Sequence, residues 1–242
     1  MLSKNDLKFI TSLQKKKFRQ NYNKFIAEGD KICREIIKDY ASLIDSIYVT
    51  DNWANHIPHY LEAKTTYITP REIKSISSQS TNSDVLIILD KTNIAISEKS
   101  NFSLLLDNIQ DPGNLGTMIR IADWFGIKEI FCSTGCVDWT NSKVIQSTMG
   151  SFLRVKINEN VQLADLIKTS GHHVYAGLLS GKPLKEAAKN EKGYILIGNE
   201  SNGISADIEP LVDFPVCIEG SGEAESLNAA IATGIICHHL LG

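Results

Sequence analysis

Apolar positions along this 242-residue chain come in short runs whose period changes repeatedly between that of a strand and that of a helix. Asp6 to Gln14 sets Leu7, Ile10 and Leu13 on one face of a short helix, and a basic stretch from Lys15 to Lys24 carries Phe18 and Tyr22 among its cations. Phe25 to Ala27 reads as a brief strand, and Lys31 to Tyr40 as a helix burying Ile32, Cys33, Ile36 and Ile37. Ser46 to Thr50 and Thr65 to Ile68 are predicted strands, with a weak helix from Trp53 to Leu61 between them. Pro70 to Ser77 starts a helix with proline in its first turn, and Asp84 to Asp90 is apolar enough to be a buried strand. Lys91 to Asn101 is polar and lacks a clear period, so a domain boundary is placed there, dividing residues 1–95 from residues 101–242.

The second part alternates more regularly. Strands are expected at Ser103 to Asp107, Glu129 to Cys132, Arg154 to Ile157, His173 to Leu178, Tyr194 to Ile197 and Phe214 to Ile218. Helices are expected at Leu115 to Phe125, Asn141 to Thr148, Val161 to Thr169, Pro183 to Ala188 and Ala229 to Ile236. Asn114, after the turn Asp111-Pro112-Gly113, is the expected cap of the first of these helices. Such alternation is the signature of an α/β fold, with a smaller α/β sandwich at the N-terminus. Two of the strands end in glycine loops, Gly198 to Gly203 and Glu219 to Glu225, and the second loop feeds a helix through Ser226-Leu227-Asn228. Open α/β sheets build ligand sites at such strand ends. Neither loop matches a dinucleotide or Walker fingerprint, because GSGEAE lacks the third glycine and no GxxxxGK[ST] occurs.

Composition narrows the function. The run Val85 to Leu89 is too short to span a bilayer, and Met1 to Asp6 has no apolar signal region, so a cytoplasmic protein without membrane contact is expected. Cys33, Cys132, Cys136, Cys217 and Cys237 are scattered and read as packing residues, and the adjacent pairs His172-His173 and His238-His239 lack helical ligand spacing. No metal is expected. The net charge of −3 is unevenly placed: residues 1–40 hold ten basic and five acidic residues, a surplus of +5 that leaves −8 elsewhere. The cations Lys15, Lys16, Lys17, Arg19 and Lys24 are candidates for a phosphate-backbone footprint, or for one solvated helix face.

The motifs themselves carry a resemblance. DNIQDPGNLGTMIR from Asp107 to Arg120, GNESNG from Gly198 to Gly203, and ESLN from Glu225 to Asn228 resemble, in order and spacing, the three motifs of the SpoU (TrmH) RNA ribose 2′-O-methyltransferases of the SPOUT superfamily. KFIAEGDKICREII resembles the start of the RNA-binding domain, similar to a ribosomal protein, attached to many members. The resemblance implies a C-terminal trefoil-knot domain, a homodimer, and S-adenosylmethionine held bent by the knot loops. It implies cofactor contacts at Leu178, Gly198, Asn199, Gly203, Ile218, Gly220 and Leu227. The reaction would be carried by Arg120, Asn114, Glu200, Ser226 and Asn228. Since guanidinium is hard to deprotonate, Arg120 is expected to bind phosphate and stabilise a developing oxyanion rather than act as a base, with Glu200 orienting it. Structured RNA is the implied partner, ribosomal RNA ahead of transfer RNA. Glu219 stands where members often have proline. The rival reading is a non-catalytic RNA-binding or ribosome-assembly protein of the same fold.

Overall fold

A computed structural model of the chain describes residues 2–79, 83–91, 99–187 and 192–242. The chain forms two compact units, Met1–Ala95 with Thr140–Leu153, and Ile96–Trp139 with Arg154–Gly242. The junction expected at Lys91 to Asn101 lies mostly outside the described residues. The first unit is not continuous in sequence, because Thr140–Leu153 joins it.

That unit contains α1 (Lys4–Ser12), α2 (Lys16–Tyr22), β1 (Lys24–Glu28), α3 (Asp30–Asp39), β2 (Ile44–Val49), β3 (Thr65–Tyr67), α4 (Pro70–Ile76) and β4 (Val85–Asp90). The sheet order is β1-β4-β2-β3, antiparallel except for the parallel β2–β3 pair. Central β4 is buried on both faces, which is why its sequence is a continuous apolar run. Leu86 and Ile88 join Ile10, Leu13, Ile73 and Ile76 in one core, the layer of α1 and α4, while α3 packs against β1 and β4. Capping boxes start α1 (Ser3 with Asp6) and α4 (Thr69 with Glu72), each contributing roughly 1 kcal/mol. The weak helix expected from Trp53 to Leu61 is instead two 3-10 turns, Asp51–His56 and His59–Lys64, because Pro58 between them cannot continue a helix.

Before the second unit closes, α6 (Ser142–Thr148), named after α5 (Pro112–Trp124) in chain order, packs on β1, and Phe152 meets Phe25 edge to face at 5.8 Å. The second unit has β5 (Phe102–Leu106), α5, β6 (Glu129–Cys132), β7 (Lys156–Asn158), α7 (Leu163–Ser170), β8 (Val174–Pro183), β9 (Gly193–Ile197), β10 (Phe214–Cys217) and α8 (Ala229–Leu241). Six parallel strands are ordered β10-β8-β9-β5-β6-β7. From β5 the chain builds outward through β6 and β7, then crosses to the other side for β8, β9 and β10. The order therefore reverses between β5 and β9, the place where such sheets open a crevice at their carboxyl ends. Leu105, Ala176 and Leu196 pack under α7 with Ile204 and Ile208, and α5 packs on α8.

Two expectations change here. The helix expected from Pro183 is absent: β8 runs to Pro183 and is followed by a single 3-10 turn, Leu184–Glu186, with Ala188 outside the described residues. The cap of α5 is Asp111, not Asn114. Asp111 Oδ1 accepts the Asn114 N–H at 2.8 Å, and Pro112 fits the first turn because it has no N–H to lose.

Candidate active site

At the reversal point the ends of β5 and β9 are tied together. Asp107 N–H donates to Ile197 O at 2.9 Å, and the buried Asp107 carboxylate accepts the Ser205 N–H at 2.8 Å. Asn108 takes the left-handed conformation (φ 57°), and its carbonyl accepts Asn199 Nδ2 at 2.9 Å. Asn199 spends its other amide atom inside its own loop, with Oδ1 accepting the N–H groups of Ser201 (2.9 Å) and Asn202 (3.0 Å). Its backbone exchanges two hydrogen bonds with Gly203, at 2.8 and 3.0 Å. This tight loop explains its glycines. A Cβ at Gly198 would stand 2.5 Å from the Gly203 carbonyl, and Gly203 has φ +68°.

Because Asp111 has taken the cap, the Asn114 side chain is released to face the other loops. Its Nδ2 donates to Glu200 Oε1 at 2.6 Å, and its Oδ1 accepts Asn228 Nδ2 at 2.9 Å. Asn228 is itself the cap of α8, its Oδ1 accepting from Ala230 (2.9 Å) and Ile231 (3.3 Å). The cap fixes which way the Asn228 amide faces, and that fixes the Asn114 amide in turn. The result is a directed chain, from the start of α8 through Asn114 to the carboxylate of Glu200, joining all three motif segments.

Arg120 lies outside this chain. It is on the exposed side of α5, six residues and a rise of about 9 Å beyond Asn114, with no hydrogen-bond or ion-pair partner among the described residues. The expected Glu200–Arg120 pair is not formed; Glu200 holds Asn114 instead. Ser226 is exposed and unpaired among the described residues, Leu227 is 48% exposed, and Ile218 is half-buried. Ile218 lines a cavity of about 450 Å³ with Leu184, Ile235, His239 and the ion pair Lys185–Glu219 at 2.8 Å. The carboxylate at the position where proline was expected is thus engaged by Lys185, whose own pKa it raises. Gly220 and Gly222 stand in open space, with no atom within 4 Å of where a Cβ would be. Across residues 220–227 the backbone has no hydrogen-bond partner among the described residues, leaving it open to a ligand rich in donors and acceptors. Leu178 packs on the core under α7, while its neighbour Leu179 is 73% exposed.

Of the five cations singled out in the N-terminal unit, Lys15, Lys16 and Lys17 are exposed. Arg19 is not a surface cation. It is 5% exposed, and its guanidinium donates to Leu13 O (3.0 Å), Gln14 O (2.9 Å) and Thr140 Oγ1 (3.1 Å). Lys24 is paired with Asp45. Asp107, Asp111, Asn108 and Ser205 were missed as site residues. Only Asp111, before a proline at helix start, carried a local signal for its role. No group of three or more possible metal ligands occurs among the described residues.

Comparison with known proteins agrees with this geometry. Residues 101–238 match the SpoU rRNA methylase family, and residues 4–86 match the MRM3-like substrate binding domain. The 23S rRNA (guanosine(2553)-2′-O)-methyltransferase RlmP of Bacillus subtilis is 31% identical over 237 residues, which is 95% of this chain and 93% of that one. Among solved structures, an RNA methyltransferase assigned to the TrmH family from Porphyromonas gingivalis superposes with a TM-score of 0.87 at 33% identity, covering 99% of this chain and 98% of that one. An AdoMet-bound rRNA methyltransferase from Sinorhizobium meliloti gives 0.85 at 25% identity, covering 99% and 95%.

Proposed function

The chain belongs to the SpoU rRNA methylase family, and on that premise we propose that it methylates a ribose 2′-hydroxyl of ribosomal RNA, using S-adenosylmethionine. The observation that carries this reading is the polar chain Glu200–Asn114–Asn228, which joins three separate motif segments near the point where the strand order of the parallel sheet reverses. Hydrogen bonding across the loops orders the site before substrate arrives. Ribosomal RNA is favoured over transfer RNA by the substrate-binding match in the N-terminal unit and by the near full-length likeness to a 23S rRNA enzyme.

When bound, S-adenosylmethionine supplies an electrophilic methyl group on a sulfonium. The open backbone of 220–227, with Gly198 and Gly203, would hold it, and Leu178, Ile218 and Leu227 would provide apolar surface. Asn199 acts indirectly, since its amide is spent holding the loop in shape and bracing Asn108. Arg120, with its guanidinium uncommitted, binds the phosphate next to the target ribose and stabilises the negative charge that develops on the 2′-oxygen as the hydroxyl proton passes to solvent water. Ser226 holds the ribose, while Asn228, its amide spent on the α8 cap and on Asn114, acts by fixing the orientation of Asn114. Exposed Lys15, Lys16 and Lys17 contact RNA backbone; Arg19 and Lys24 are withdrawn from that role by their internal partners.

The same reading includes a trefoil knot, supported by the anchoring of the 198–213 excursion to Asp107 through Ser205 and by the return of the chain as α8 against α5, β8 and β9. It includes a homodimer, supported by Trp124, Ile231 and Ile235, which stand 83%, 56% and 38% exposed on the packed helices α5 and α8. A cytoplasmic location is part of the same reading, supported by the likeness to a bacterial 23S rRNA enzyme.

Calorimetric titration with S-adenosylmethionine, followed by transfer of labelled methyl to ribosomal subunits and to transfer RNA, tests the proposal. One site per chain and a label resistant to alkaline cleavage at one rRNA nucleotide are expected. Absence of cofactor binding even with ribosomes present returns the chain to the non-catalytic reading.

A further inference from the structure

The turn that follows β5, Asn108 to Gln110, rests on a second turn that closes β6. In that lower turn Cys136 N–H donates to Ser133 O at 3.1 Å, and Ser133 N–H donates to Leu106 O at 2.9 Å. Ser133 Oγ accepts the Asn108 N–H at 2.8 Å. The sulfur of Cys136 is the other anchor: it accepts the Ile109 N–H at 3.3 Å and lies 3.2 Å from Leu106 O. Val137 N–H closes the arrangement on Ile109 O at 2.8 Å. The packing leaves no slack, since a Cβ at Gly135 would sit 2.1 Å from Asn108 Oδ1. Cys132, buried at the end of β6, stands opposite Leu106 in the strand register, so both cysteines flank that residue.

We propose that Cys132 and Cys136 form an oxidisable dithiol, closed to a disulfide by a peroxide, and that closure releases the Asn108–Gln110 turn from its sulfur anchor. Both thiols flank Leu106 at the two ends of one short turn, and the new S–S bond draws the Cys136 sulfur from Ile109 and Leu106 toward Cys132. The Cys136 sulfur attacks one peroxide oxygen; the O–O bond breaks, and the departing oxygen leaves as water with the protons released. The Cys132 sulfur then attacks the Cys136 sulfur, the S–O bond breaks, and a second water leaves. Two thiols lose two electrons and two protons in all, and the peroxide is reduced to two waters.

The surroundings assign the roles. The Cys132 thiol, the Ile109 N–H and the Ser133 hydroxyl all favour charge on Cys136 and hold it down to about 7, against the pull of burial. The attacking thiolate is therefore well populated near neutral pH. Cys132 is pushed the other way, by Cys136 and by burial, which suits a resolving thiol. Burial also raises Cys33, and raises Cys237 to about 12. Selectivity for the 132–136 pair is built into the fold, at a turn that abuts Asn199 and precedes α5.

The test uses the full chain treated with hydrogen peroxide, then digested with trypsin, which leaves both cysteines in residues 129–143. The wild-type peptide should lose two hydrogens and regain them with dithiothreitol. Cys132→Ser should stop at a sulfenic acid on Cys136, trapped by dimedone, and Cys136→Ser should not react there. Amide exchange across residues 105–111 should rise about tenfold on oxidation of the wild type and stay unchanged in Cys136→Ser. Sulfinic acid at Cys136 without a disulfide overturns the pairing, and a disulfide that leaves the exchange unchanged overturns the link to the turn. These readouts follow thiol chemistry and amide protection, so they succeed or fail independently of methyl transfer.

Discussion

Asn114 shows how one displaced cap creates a site. A polar residue two places after a proline reads as a helix cap, yet Asp111 fills that role and frees the Asn114 amide for Glu200 and Asn228. Replacing Asn114 with aspartate keeps its size but sets a carboxylate against Glu200 with no N–H between them. Transfer should fall by about a hundredfold, more than for Asn114→Ala, with little change in thermal unfolding because the position is near the surface. Equal rates for the two variants would show that the chain is not part of the reacting geometry. Arg120→Ala should abolish transfer while leaving S-adenosylmethionine affinity within about a few fold, as expected for a group that binds only RNA and the transition state; calorimetry showing lost cofactor binding would make Arg120 structural. Arg19 marks where reading residues from sequence ran out. Charge counting placed it with Lys15 to Lys17, but its acceptors are the carbonyls ending α1 and a hydroxyl 121 positions away. No local pattern encodes such a partner. Arg19→Ala should destabilise the chain by roughly 3 kcal/mol in denaturant titration, because it leaves buried carbonyls without donors. Lys16→Ala should stay within about 0.5 kcal/mol.

Elements were legible where their own sequence decides them. A continuous apolar run made β4, and an apolar face made α3; both bury the residues their periodicity marked. The elements that differed are those decided by neighbours. Strand β8 continues five residues past Leu178 because its register on β10 jumps, Pro215 opposing Ala176 while Val216 opposes Lys182, and only the partner strand records that jump. Residues 140–153 looked like one more helix of the second unit and belong with the first, held by β1 and Phe25. At this scale the cap of α5 is the sensitive point, since the helix presents Asn114 and Arg120 together. Asp111→Ala removes a side-chain acceptor from the first turn and should cost about 1 kcal/mol. Asp111→Ser, which keeps an acceptor, should restore most of it. Thermal unfolding of the two variants separates them; equal melting points would mean that Pro112 alone starts the helix.

For the whole molecule, the sequence carried the two-part α/β plan and the motif loops, but not which helical faces stay uncovered, because exposure depends on tertiary packing. Helices α5 and α8 pack together and still leave Trp124, Ile231 and Ile235 open to water. A tryptophan buries roughly 150–250 Å² when covered, so this group is large enough to seed an interface. If the chain works as a homodimer through this face, Trp124 is its expected hot spot, and removing it should cost about 2 kcal/mol, some thirtyfold in the dimer dissociation constant. Trp124→Ser combined with Ile231→Asp adds an unpaired carboxylate where apolar contact is expected, and should give monomers in light scattering at concentrations where the wild type is dimeric. Neither side chain is buried within the chain, so the circular dichroism of the variant should match that of the parent. A double variant that remains dimeric moves the interface to another face. A wild type that is monomeric throughout removes the homodimer from the proposal, while leaving the polar chain Glu200–Asn114–Asn228, built by one chain, to be tested on its own.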